Sequence, residues 1–183
     1  MENEYTSMKE CAAEAGRVAS RGVDAGRLPE PSGCGDRDVR ALVNHWVLCT
    51  PARPGAPGPA HEAPRRATAR DFAADTGWAD AYAVQLERAV AAWADPRVWE
   101  GEIDLGFATT PAPEIAGLLI AELALHGWDV ARATGQKFQV SDDTAASCSE
   151  SSRRTPRSTA GTTASPMWSR CRMARPCSTA RSS

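Results

Sequence analysis

Apolar side chains in this sequence return every three or four positions, a period that one face of a helix satisfies and a strand does not. Trp78, Tyr82, Leu86, Ala89, Val90 and Trp93 keep that spacing unbroken until Pro96, which closes the segment. Met8, Cys11, Ala12, Ala15, Val18 and Ala19 keep it more weakly, behind Ser7 and Glu10 at capping-box spacing and ahead of Gly22. Val39, Leu42, Val43 and Trp46 form a third such face, with Asp36 read as its N-cap. A fourth helix is predicted from Thr110 and Pro111 through Ile115, Leu118 and Leu119 to about Ala133, with Gly135 as its stop. Ahead of it, Ile103, Leu105 and Phe107 alternate with polar or small residues and predict a short extended segment, too isolated to found a sheet. Four helices that each bury one stripe predict an all-α fold, an antiparallel four-helix bundle within residues 1–146.

The pattern stops at Ser147. Residues 147–183 contain no Leu, Ile, Val, Phe or Tyr, but 10 Ser, 7 Arg and 5 Thr, and carry a net charge of +6 against −8 for residues 1–146. So little apolar surface cannot offset the entropy of ordering the chain, and the tail is expected to be disordered. Just before it, Ser141-Asp142-Asp143-Thr144 reads as a helix N-terminus, with a capping side chain and acids at the positive end of the dipole. A chain with 19 Arg and 2 Lys, rich in Ala, Gly and Pro, suits a GC-rich gene. The tail therefore reads as a frameshifted end, and the Pro-rich stretch 50–66 as a linker or a second such excursion.

Several classes drop out. A formal net charge of −2 gives no electrostatic reason to expect nucleic acid or an acidic membrane as partner. The longest apolar run, Ile115 to Leu125, is interrupted by Glu122 and is too short for a bilayer. The N-terminus has no basic and apolar leader pattern, and the six cysteines contain no CxxC pair, so the expectation is a cytoplasmic protein with scattered thiols. Cys34 and Cys49, flanking the second helix, read as inert small residues.

The fourth helix carries the chemistry. At 100° per residue, Ile115, Leu118, Leu119, Glu122, Leu125, His126, Asp129 and Ala133 fall within about 60° of one direction. A carboxylate and an imidazole at i and i+4 on a core-facing stripe need compensation. Either a basic partner such as Arg40 or Arg132 neutralises Glu122, or a divalent cation sits between Glu122 and His126. A third ligand would come from another segment, and the remaining histidines are His45, near the edge of the second helix's stripe, and His61 in the Pro-rich stretch.

DVRALVNHWV at 38–47, followed by AELALHGWDVARATGQ at 121–136, resembles the DinB-like bundle family. The match is closer to its actinobacterial branch, the metal-binding domain of mycothiol-dependent maleylpyruvate isomerase and its relatives. Cys34-Gly35-Asp36 and WADAYAVQLERAVAAWADP are also similar to that branch. The likeness spans about residues 8–146 apart from the Pro-rich stretch, with Arg37 standing where the family usually has an aromatic residue. It implies a zinc-class ion held by His45, Glu122 and His126, and a low-molecular-weight thiol, mycothiol, as co-substrate. The larger isomerases add a C-terminal domain for which this length leaves no room, so maleylpyruvate itself is not the expected substrate.

Two imidazoles and one carboxylate leave a coordination position open, as catalytic zinc sites do. A thiol entering it is held as thiolate and can attack an electrophilic substrate, giving transfer or isomerisation. Asp129 is the candidate to orient His126, and Trp46 and Trp128 are candidates to line the pocket. The other expectation is a metal-binding helical scaffold without turnover, or an inactive product of a frameshifted gene.

Overall fold

The structure, a computed structural model, describes residues 2–23, 25–50, 70–104 and 109–154, with residues 150–154 as backbone. The Pro-rich stretch beyond Thr50, with His61, lies outside the described residues, as do Leu105, Phe107 and the tail beyond Arg154. The fold is mostly helical. Helix α1 spans Glu2–Ser20, α2 Val39–Leu48, α3 Trp78–Ala92, α4 Ala112–Ala133 and α5 Asp142–Arg154. Strand β1 (Glu102–Asp104) pairs antiparallel with β2 (Thr109–Pro111), setting Ile103 opposite Thr110.

Helix α4 is the hub, packing against α1, α2 and α5, while α3 lies on α1. The core between them takes Met8, Cys11, Ala15 and Val18 from α1, and Val39, Leu42, Val43 and Trp46 from α2. Tyr82 and Leu86 enter it from α3, and Leu119, Ile120, Leu123 and Val130 from α4. Each large side chain fully removed from water there contributes about 1.5–3 kcal/mol. These faces are the ones the periodicity selects for α1, α2 and α3.

Helix ends differ from expectation in instructive ways. Ser7 is no cap: α1 begins at Glu2, Ser7 is buried, and Glu10 reaches Ser141 and Thr144 instead. The N-cap of α2 is Asp38 rather than Asp36, its carboxylate accepting from the Ala41 N–H at 2.7 Å. Thr110 and Pro111 belong to β2, so the extended stretch has a partner and forms a hairpin that rests on α4. Gly135 does stop α4, at φ 71°, with Gly135 N–H donating to Arg132 O and Gln136 N–H to Ala131 O at 2.7 Å.

Disorder from Ser147 is not what the structure has for residues 147–154, which continue α5. Small residues supply the missing face. Cys148 is buried with its sulfur 3.8 Å from that of Cys11, and Thr144 is buried beside Ser7. The buried side of α4 is also rotated from the predicted stripe. Its deepest residues are Ala116, Ile120, Leu123, Gly127, Val130 and Ala131, while Ile115, Leu118 and Leu125 are half-buried. Helices on several sides of α4 cover a broader arc than one stripe, which leaves Glu122 at the margin between α2 and α4.

Candidate metal centre

His45 comes from the last turn of α2, and Glu122 and His126 from successive turns of α4. Asn44, beside His45, accepts from the Ala73 N–H at 3.0 Å and donates to Asp71 at 3.0 Å, tying the 70–75 segment to this end of α2. Arg40 also pairs with Asp71. Arg132 instead lies over the Trp128 ring, 5.0 Å from its centroid. Among the described residues neither arginine takes the role of countercharge to Glu122.

Three atoms converge. Nε2 of His45 and Nε2 of His126 are 3.2 Å apart, and each lies 3.3 Å from Oε2 of Glu122. The side chains are 9%, 4% and 15% exposed, so water reaches the triangle only at its edge. Oε2 of Glu122 is buried and accepts neither imidazole in hydrogen-bond geometry, although it touches both. Ligand atoms bound at 2.0–2.1 Å to a tetrahedral zinc-class ion stand about 3.3–3.4 Å apart, which is the spacing of this triangle.

The charges are strongly coupled. Burial works to raise the Glu122 carboxyl, but His126 and His45 outweigh it and hold it down at about 2. Burial likewise opposes charge on His126, and there Asp129, Cys34 and Glu122 outweigh it and push the imidazole up to about 11. These directions favour Glu122 as carboxylate and His126 as imidazolium, an ion pair at 3.3 Å.

Asp129 has its Oδ2 3.8 Å from Nδ1 of His126, on the ring edge away from Glu122. Trp46 is fully buried and packs on Tyr82 at 5.0 Å between ring centroids, inside the core. Trp128 is 41% exposed on the outer side of α4. A cavity of about 560 Å³ lined by Val47, Phe72, Trp78, Tyr82 and Gln85 includes none of the three converging residues.

Two residues read as inert in the sequence stand beside the triangle. Cys34 is buried with Sγ 4.0 Å from Nδ1 of His126. It is held there by a loop in which Ser32 Oγ accepts from the Cys34 N–H and donates to Arg37 O. Cys49 ends α2 with Sγ 3.5 Å from Nδ1 and 3.8 Å from Nε2 of His45. Cys34, His126 and Asp129 each offer a ligand atom within 4.8 Å of one another, and so do His45, Cys49 and Glu122. The i, i+4 spacing of His45 and Cys49 was visible in the sequence; the approach of Cys34 depends on the loop. Comparison with protein-family models, with curated proteins and with solved structures returned no match.

Proposed function

We propose that the chain is a divalent-metal-binding protein, with the ion held by His45, Glu122 and His126 on an antiparallel four-helix bundle formed by α1–α4. The observation that carries this reading is the near-equilateral triangle of two imidazole nitrogens and one carboxylate oxygen. Oε2 of Glu122 supports it: buried and without a well-formed hydrogen bond, it has both imidazole nitrogens at 3.3 Å, an arrangement that a shared cation would satisfy. In the resemblance read from the sequence the ion is zinc.

A zinc-class ion bound there would stabilise an incoming thiol as its thiolate, the chemistry of a mycothiol-dependent transferase or isomerase. The chain's own residues have simpler tasks. Glu122 supplies the negative charge that favours a dication. Asp129 and Cys34, both facing Nδ1 of His126, leave Nε2 of that ring as the atom turned toward Glu122. A metal bound through Nε2 would compete with a proton for that nitrogen, so uptake would weaken as pH falls. The small-molecule thiol and electrophile would approach from the partly exposed Glu122 edge.

A second reading rests on the same pair. The His126 imidazolium already compensates Glu122, so the trio can also serve a non-catalytic helical scaffold. Metal analysis of gently purified wild type beside His45→Ala and Glu122→Gln separates the readings. About one zinc per chain, lost in both variants, supports the centre; a metal-free wild type that takes up no zinc on dialysis leaves only the scaffold. Thiol-conjugation assays on the zinc-loaded protein, with mycothiol and a panel of electrophiles, then tell an enzyme from a metal-bearing scaffold.

A further inference from the structure

We propose that Cys49 is a fourth, thiolate ligand of this centre, an inference that rests on the metal reading above. It would turn an apparently open three-ligand site into a closed one that an external thiol must enter by displacement.

The argument begins with helix geometry. His45 and Cys49 are i and i+4, so their side chains project from one side of α2 a turn apart. Cys49 Sγ is 3.8 Å from Nε2 of His45, and it shares a 4.8 Å sphere with His45 and a Glu122 carboxylate oxygen. In a tetrahedral site with a sulfur bond of about 2.3 Å and nitrogen bonds of 2.0–2.1 Å, sulfur and nitrogen stand about 3.6 Å apart. The sulfur also lies 3.5 Å from Nδ1, so it stands over the imidazole rather than at its Nε2 pole, and ligation requires a change of the Cys49 side-chain rotamer that carries the sulfur by about 3 Å. Cys49 is half-buried at the C-terminal cap of α2.

The second argument is chemical. Two imidazoles and one carboxylate leave a zinc-class dication with a net charge of +1, and a thiolate neutralises it. Coordination breaks the Cys49 S–H bond, forms the sulfur–metal bond and releases the proton to solvent; nothing is oxidised or reduced. Cys34 faces Nδ1 of His126 instead, and a ring that ligates through Nε2 leaves that sulfur outside the shell. The two cysteines therefore give opposite expectations under substitution.

Cobalt(II) is the probe. Wild type and Cys34→Ser, loaded with one equivalent, should show the intense near-ultraviolet band of a thiolate–cobalt bond. Cys49→Ser should still bind cobalt, about tenfold or more weakly, and lack that band. X-ray absorption of the zinc-loaded wild type, which needs no variant, should show one sulfur neighbour at about 2.3 Å. A loaded wild type with only nitrogen and oxygen neighbours overturns the Cys49 assignment and leaves the three-ligand centre standing. So does a band that survives Cys49→Ser. Cobalt uptake unaffected by His45→Ala overturns the metal reading itself, and the Cys49 ligand with it.

Discussion

At the scale of single residues, the two nitrogens of His126 have separate partners. Nε2 faces Glu122 and His45, and Nδ1 faces Asp129 and Cys34. The ring is held from both edges, while Gly127 beside it in the chain faces a different neighbour. Gly127 has the Phe138 ring lying where a side chain would project, with a Cβ there only 2.4 Å from the ring edge. Gly127→Ala therefore forces the Phe138 ring to move, at a cost of about 1–3 kcal/mol. Urea denaturation measures it, and an alanine variant as stable as wild type would show that the ring shifts freely. Gly33 is a different case: its φ of 78° lies in the left-handed region, and the crowding atom is the flexible end of Arg132.

At the scale of elements, α5 and the residues just before it are tied to α1 by a set of polar contacts. Glu10 accepts from the Ser141 N–H at 2.6 Å and from Ser141 Oγ at 2.7 Å, and it also accepts from Thr144. Glu14 accepts from the Gln139 N–H at 2.8 Å. Burial works to raise the Glu10 carboxyl, but its bonds to Thr144 and Ser141 prevail and lower it from 4.5. A carboxyl lowered on folding contributes stability that is complete above its unfolded value and is lost as pH falls through its folded one. The Ser141 and Thr144 amide resonances should accordingly titrate together with a midpoint below pH 4.5, and Glu10→Gln should remove that titration. A midpoint at or above the free-glutamate value would mean that the bonds do not stabilise the charged form. Thr144→Ala removes the one hydroxyl that bonds both Glu10 and Ser7 and should cost about 1–2 kcal/mol in chemical denaturation, with the loss of α5 contacts visible in hydrogen exchange.

At the scale of the whole molecule, stability and metal occupancy should be linked through α4, which bears two of the three converging residues and touches most other elements. Leu123→Ala, at a fully buried position of this helix, should cost about 2–5 kcal/mol, against a few tenths for Val84→Ala at a position 45% exposed. Zinc bound at the proposed centre in the folded chain, and not in the unfolded one, would add about 2.7 kcal/mol at a hundred times its dissociation constant and raise the melting temperature. A chelator should reverse the increase, and His45→Ala should melt at the same temperature with and without zinc. Equal zinc-induced shifts in wild type and His45→Ala would place the ion elsewhere.

The helices themselves were legible in the sequence, because a 3.6-residue period is a local property and the buried residues of α1, α2 and α3 follow it. So were the stop at Gly135 and the start of α5, where Thr144 N–H donates to Ser141 Oγ at 3.3 Å. Spacing alone put Glu122 and His126 on one side of a helix. The third dimension decided the rest. Whether His45 meets them depends on how α2 crosses α4, and that crossing is set by packing between residues some 80 positions apart. Tertiary packing also rotated the buried arc of α4, turned the expected lone strand into a hairpin, and carried α5 past Ser147. A short Thr or Cys side chain suffices to bury a face when the opposing helix offers Ser7, Glu10 and Cys11, and no periodicity within one segment records what stands opposite it.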